Sequence, residues 1–361
     1  MLSYNILFGG GAPLRSRPIY AGADRRVPSF VTAQIRPFKL RPRTNPAAIV
    51  PYSIAYNGAV YVLVPPRPYT NPPFPVEYYT TTDMVTLTLR SISNLQFSRV
   101  TALGSVLFAE SKHSGGTERV YRSTDNGASW PTAWDGAKTV QVAGGKAFAA
   151  FGRSDAAMWV YNPETNVWDT RGLPEVPNGT WMGVVHNGAM YCVASQARAA
   201  VSVDGVTWSI SAGFPAVAAA LPVAVSRFYT FGGKFIAVGF SGRSIVAMVS
   251  TDGQTWVQTA ASALNTTASA RTIAGLSFLG VELDGVLYIG VAYNEGDNKY
   301  TQSLLSTADG KDWLAFAYTV DPSSTYSIVP EPFLRPGTNT IMLGSTLIET
   351  DETGQELFYE L

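Results

Sequence analysis

Apolar positions in this chain alternate with polar ones in short runs, and glycine-bearing turns separate the runs. Period-two patterning between turn residues is the mark of antiparallel β-strands. Residues 224–259 show the plan. Ala224 to Phe231 reads as a strand, Gly232-Gly233 turns it, and Lys234 to Phe240 runs back. Ser241-Gly242 turns again, Ser244 to Ser250 forms a third strand, Asp252-Gly253 turns, and Thr255 to Thr259 forms a fourth. A four-stranded sheet of this kind cannot bury both faces alone and needs neighbours packed against it. No long helix is expected.

The plan repeats. Small turns stand at Asn57-Gly58, Leu103-Gly104, Gly144-Gly145, Asn187-Gly188, Gly232-Gly233, Asp284-Gly285 and Pro336-Gly337, each followed by an apolar strand. Tight hairpins select Asn-Gly, Asp-Gly and Gly-Gly because their central residues need positive φ. A second motif alternates with these turns. It reads Ser123-x-Asp125-x-Gly127-x-x-Trp130 and Ser202-x-Asp204-Gly205-x-x-Trp208, then Ser250-x-Asp252-Gly253-x-x-Trp256 and Thr307-x-Asp309-Gly310-x-x-Trp313. An eroded copy contains Asp83, a variant runs from Tyr161 to Trp168, and the weakest copy lies at Asp351 to Gly354. The spacing of roughly 40 to 57 residues is near that of propeller blades. The expected architecture is all-β: a seven-bladed β-propeller of four-stranded antiparallel blades over residues 48–361, preceded by an extended arm over 1–47.

These aspartate motifs resemble the Asp-box, or BNR, repeats of sialidase-like propellers, and Tyr161 to Trp168 is similar to the end of a kelch repeat. The resemblance implies that the motif lies on the peripheral turn between third and fourth strands. It also implies a structural role for Asp83, Ser123, Asp125, Gly127, Trp130, Ser202, Asp204, Gly205, Trp208, Ser250, Asp252, Gly253, Trp256, Asp309, Gly310 and Trp313. The chemistry agrees: a turn aspartate accepts backbone N–H bonds, glycine takes the left-handed position, and tryptophan packs inward.

Composition narrows the function. The chain has 361 residues, no net charge, 46% apolar and 14% charged residues. It is long enough to bury a large core. Its neutral total argues against coating nucleic acid with the propeller, since phosphate contacts need concentrated basic surface. One cysteine, Cys192, excludes an internal disulfide or CxxC site, and two histidines, His113 and His186, make a histidine-rich metal centre improbable. Cys192 lies in an apolar strand and reads as core; His186 reads as a strand end. The acidic loop Glu295-Gly-Asp297-Asn298 has oxygens suited to calcium but too few for a known loop motif. No cofactor and no metal are expected. The start has no basic region before its apolar residues, and no run reaches the roughly 18 apolar residues of a spanning helix, so a soluble protein made in the cytoplasm, without signal peptide or membrane insertion, is expected.

A sialidase would need three arginines clamping a carboxylate, a Tyr–Glu nucleophile pair and an acidic proton donor. The nearest match to that family's opening arginine strand is Gln34-Ile35-Arg36-Pro37, ahead of the first blade. Arg99, Arg153, Arg198, Arg227, Arg243 and Arg271 are scattered, with no matched position in successive blades. Glu110, Asp155, Glu282 and Glu331 are the carboxylates that could face a central channel. A G-x-S-x-G elbow, an H-E-x-x-H pair and a P-loop are all missing. No catalytic residue is assigned.

Two segments fall outside the repeat. Residues 1–47 carry Arg15, Arg17, Arg25, Arg26, Arg36, Lys39, Arg41 and Arg43 against Asp24 alone, a charge of +7. The remainder therefore carries −7. Such a basic, partly apolar arm suits docking on an acidic neighbour or another subunit; the alternative is that it wraps its own propeller and adds an edge strand. The second segment, Pro65 to Pro75, has six prolines and offers Tyr69 and Phe74 as anchors of a stiff contact loop. An arm before a compact propeller resembles accessory virion proteins of tailed bacteriophages. That resemblance implies a non-enzymatic structural or adhesion protein of the virion, with other virion proteins or identical subunits as arm partners and a host-surface glycan or protein as a further partner. The alternative is a glycan-binding or glycan-hydrolysing, sialidase-like propeller.

Overall fold

The computed structural model describes residues 41–42 and most of 52–360. It leaves out 66–75, 93–96, 113–117, 152–156, 173–182, 264–271, 316–328, 351–355 and several shorter gaps. The chain divides into Met1–Pro37, wholly outside the described residues, and Phe38–Leu361.

The second unit is a β-propeller. Blade 1 runs from Ser53–Tyr56 to Thr88–Ile92, blade 2 from Phe97–Leu103 to Thr132–Asp135, and blade 3 from Ala137–Ala143 to Val167–Gly172. Blade 4 runs from Gly183–His186 to Ser209–Ile210, and blade 6 from Thr272–Leu283 to Leu314–Ala315. In blade 5, from Val225–Phe231 onward, the fourth strand is broken into Val257–Gln258 and Ser262–Ala263, both paired with Ser244–Ser250. Each blade is a four-stranded antiparallel meander of consecutive strands.

The expectation of seven such blades is corrected here: among the described residues the chain builds six, not seven. Between blade 6 and blade 1 stands a mixed, five-stranded closing sheet. Four of its strands, Phe333–Leu334, Thr340–Leu343, Thr346–Thr350 and Glu356–Glu360, are antiparallel. The fifth, Arg41–Pro42, pairs parallel with the last, Arg41 opposite Tyr359 and Pro42 opposite Glu360. The physical reason is that the final repeat leaves its outer edge open, and a segment from the other end of the chain covers it. Pro42 has no N–H to donate, which suits the outermost position of a sheet and keeps the added strand short.

Because each sheet is apolar on both faces, the core lies between sheets. One cluster joins Val62 and Tyr78 of blade 1 to Phe97 and Leu107 of blade 2; another joins Ile236 and Val238 of blade 5 to Leu287 and Ile289 of blade 6. Leu283 and Tyr288 pack on Ile341, while Phe333 meets Tyr61 at 6.0 Å edge-on, so the closing sheet touches both neighbours. First strands of neighbouring sheets lie side by side and line the axis.

A meander of four strands puts its first and third turns at one end and its second turn and outgoing connection at the other. The turn end is tightly bonded. Asn57 Nδ2 reaches from blade 1 to Ser105 O (3.1 Å) and Asn126 Oδ1 (2.9 Å) in blade 2. Asn187 Nδ2 repeats this from blade 4 to Gly233 O (3.1 Å) and Thr251 O (3.0 Å) in blade 5. The glycines that follow, Gly58 and Gly188, have φ of 94° and 97°, the left-handed region the hairpin requires.

Candidate functional site

The aspartate motifs occupy the turns between third and fourth strands. In blade 5, Ser250 Oγ donates to Asp252 Oδ1 (3.0 Å) and accepts the Gly253 N–H (2.8 Å). Asp252 Oδ1 also accepts the N–H groups of Gln254 (2.8 Å) and Thr255 (2.7 Å). Blade 4 repeats this with Ser202, Asp204 and Gly205, and blade 6 with Thr307, Asp309 and Gly310. In blade 2 Asp125 accepts from Ser123, the Ser129 N–H and the Ser129 hydroxyl. The eroded copy works as well: Asp83 accepts from Thr81 Oγ1 and the Thr86 N–H, with Met84 at φ 65° where blades 4, 5 and 6 have glycine and blade 2 has Asn126 at φ 59°.

Glycine is needed at Gly253 twice over. Its φ is 66°, and a Cβ there would lie 2.4 Å from Val201 Cγ1 of the preceding blade. Trp130, Trp256 and Trp313 are buried between blades, and Trp208 is half-buried against Phe148. The Trp130 indole donates to Tyr78 O–H (3.2 Å), and that of Trp256 to Ser211 Oγ and Gly253 O (3.0 Å each). The N–H bonds from Thr255 hold the Asp252 carboxyl down at about 2, and those from Thr207 and Val206 lower Asp204. Burial works against Asp125 and Asp309, yet their turn hydrogen bonds outweigh it and lower both. Local bonds that close the turn thus hold these carboxylates ionised.

A different constellation meets at the axis. Arg99, on the first strand of blade 2, donates from Nε (3.0 Å) and Nη2 (2.6 Å) to Glu110 Oε1, and from Nη2 to Val140 O (3.1 Å). The same carboxylate oxygen accepts the Val140 N–H (2.7 Å). Both side chains are buried. Burial would lower Arg99, but the charges of Glu110 and Glu331 prevail and raise it.

Arg227 occupies the equivalent place in blade 5. Its Nε donates to Leu276 O (2.9 Å) and its Nη1 to Ser226 O (2.7 Å). The two guanidiniums share one aromatic: Phe278 of blade 6 lies 4.1 Å from Arg227 Cζ and 5.2 Å from Arg99 Cζ, a double cation–π contact. Glu331, at the start of the closing sheet, accepts the N–H groups of Phe278 (3.1 Å) and Leu279 (2.7 Å). Its own N–H donates to Tyr52 O (3.2 Å) beside blade 1, so one residue stitches three sheets. Burial raises the Glu331 carboxyl against the pull of Arg99 and Arg227.

The structure thus brings Glu110 and Glu331 together with Arg99 and Arg227. Glu282 sits elsewhere, its Oε2 accepting the Gly232 N–H (3.1 Å) at the turn end. Cys192 is fully buried, with its thiol pushed up by burial, and the His186 ring packs at a tilt on Tyr191, centroids 4.4 Å apart. Asp155, Arg153, Arg271 and Asp297 lie outside the described residues, as do Arg15, Arg17, Arg25, Arg26, Arg36, Lys39, Arg43, Tyr69 and Phe74. Arg41 is in the added strand. Among the described residues no group of three or more His, Cys, Asp or Glu could hold a metal, and no helix is long and apolar enough to cross a membrane.

Sequence reasoning missed the pairing of Arg99 with Arg227 and the role of Phe278. A signal existed. Ser98-Arg99 and Ser226-Arg227 each stand five residues before a glycine turn, at Gly104 and Gly232. Each arginine follows a register shift in its strand pair, and each serine hydroxyl donates across the sheet, to Glu110 O (3.3 Å) and Val238 O (3.2 Å). The matched blades are three apart, not successive.

No family model and no curated protein matches the chain. Among solved structures, a chain of the mitotic checkpoint complex is similar at 11% identity, covering 91% of this chain and 99% of that one, with a TM-score of 0.50. YjhT is similar at 13% identity over 75% and 98%, with a TM-score of 0.44. The uncharacterized protein lmo1340 from Listeria monocytogenes EGD-e is similar at 10% identity over 90% and 98%, with a TM-score of 0.47. Likenesses at these identities concern the fold alone. The β-propeller is consistent with a binding or structural role.

Proposed function

We propose that the chain is a non-enzymatic structural or adhesion protein, a virion component of the tailed-phage type, which docks through its basic N-terminal arm and displays its propeller. The Asp-box reading of the turn motifs belongs to the same proposal. The observation that carries it is the charge of +7 on residues 1–47 against −7 on the remainder; Arg41–Pro42, at the end of that arm, adds the edge strand expected of self-wrapping. Arg41–Pro42 meets the ring at its rim, away from the axis. The pairing of Arg99 with Glu110 adds support, because an arginine already neutralised by its own blade is a poor clamp for a substrate carboxylate. The test uses the full chain with Arg15, Arg17, Arg25 and Arg26 changed to Glu. Particles purified from the source should contain the unchanged chain and lose the variant. Equal incorporation of both would overturn the proposal.

Arg227 favours a second reading, an anionic glycan held at the axis. Its guanidinium is half-buried, stacks on Phe278, and faces Val238 where Arg99 faces Glu110. A glycan array of carboxylated sugars with Arg227→Ala as control, and hydrolysis of fluorogenic sialosides, would separate the two.

A further inference from the structure

We propose that the outer strands of blades 4 to 6 form a rim that receives the basic N-terminal segment of a second copy of this chain. The inference rests on the docking role of the arm and adds its partner and its seat. The first observation is an exposed aliphatic in each of three consecutive blades. Val257 and Leu314 each directly follow a buried tryptophan on the outer strand, and they are 61% and 65% exposed. In blade 4 Ile210, two residues after the half-buried Trp208, is exposed on the outer strand, and Leu89 and Val167 are exposed likewise on the outer strands of blades 1 and 3. Single exposed aliphatics are ordinary, but recurrence on successive outer strands is a pattern. Those strands end their sheets, so each presents a free edge of backbone groups among the described residues.

The second observation is charge. Asp204, Asp252 and Asp309 stand five or six residues before Ile210, Val257 and Leu314, and turn bonds hold all three ionised. Residues 1–40 offer the complement: Arg15, Arg17, Arg25, Arg26, Arg36 and Lys39 against Asp24, interleaved with apolar residues such as Phe8, Phe30 and Phe38.

The third is a precedent within the chain. Arg41–Pro42 joins an outer strand by edge addition, the mode in which backbone bonds give affinity and side chains give choice. The 40 residues ahead of it reach up to about 130 Å when extended, enough to cross to a neighbouring molecule. Every copy carries both an arm and a rim, which is what a head-to-tail contact between identical subunits needs.

Light scattering of the full chain over a concentration series tests this, with two full-chain variants beside it. The rim variant is Val257→Lys with Leu314→Lys; the arm variant changes Arg15, Arg17, Arg25 and Arg26 to Glu. The unchanged chain should gain mass with concentration, and each variant should need at least about tenfold more protein for the same mass. The rim variant should keep its circular dichroism and melting temperature, since both side chains are exposed. A chain monomeric throughout, or a rim variant that assembles like the original, would overturn the inference. Loss of the arm variant from particles would then still uphold the docking role of the arm.

Discussion

Blades 2 and 5 begin alike and end differently. Both open with Ser-Arg, both shift register at that point, and both turn at a glycine five residues on. The residue opposite the arginine is Glu110 in blade 2 and Val238 in blade 5. That one difference decides the state of each charge. Arg99 is 5% exposed and survives burial because a carboxylate and a carbonyl take its donors. Arg227 has no carboxylate opposite, stays half-buried, and leans on carbonyls and the face of Phe278. One local design gives a closed internal pin in one half of the ring and an accessible cation in the other.

Exchanging the distinguishing residue should break the comparison most strongly. Glu110→Val imports the blade 5 arrangement, strands Arg99 as a buried charge, and leaves the Val140 N–H without its acceptor. It should cost about 3–5 kcal/mol in denaturant unfolding. The reciprocal Val238→Glu puts a carboxylate at a fully buried position in the core between blades 5 and 6, and should cost about 2–4 kcal/mol. Gly253→Ala tests the turn end rather than the axis. Its φ of 66° and the 2.4 Å approach to Val201 predict a loss of about 2–3 kcal/mol.

Asp252→Asn should cost less, about 1 kcal/mol at neutral pH, since the amide oxygen keeps some of the turn bonds. Its pH signature is specific. The Asp252 carboxyl is lowered to about 2 from the ordinary 3.8, so its contribution is present above the ordinary value and lost as pH falls through that window. Unfolding midpoints of the Asn variant should therefore fall less between pH 4 and 2 than those of the original. Glu331 has the opposite sign: its raised carboxyl opposes folding at neutral pH and ceases to do so as the group is protonated. Smallest of all, Arg227→Ala should change stability by less than about 1 kcal/mol while removing any binding of anionic sugars at the axis.

Much of this fold was legible because tight turns leave a chemical trace. Gly58, Gly104, Gly145, Gly188, Gly233 and Gly285 stand in the sequence where positive φ stands in the structure. The aspartate turns were legible for the same reason, and even Met84 marks where the eroded copy takes a glycine-like conformation. The count of blades was not legible. Periodicity reports strands that follow one another, whereas the closing sheet borrows Arg41–Pro42, a dipeptide that reads as anything but a strand. The axial cluster was hidden for a related cause. Arg99, Arg227, Phe278 and Glu331 meet only because the ring brings blades 2, 5 and 6 and the closing sheet to one axis, a proximity that no spacing along the chain encodes.

A double-mutant cycle on Arg99→Met and Glu110→Gln tests the central claim most directly, with Arg227→Met and Val238→Ala as the matching cycle in blade 5. Coupling of about 2 kcal/mol or more for the first pair, and well under about 1 kcal/mol for the second, is the predicted outcome. Equal coupling in the two blades, or none between Arg99 and Glu110, would contradict it.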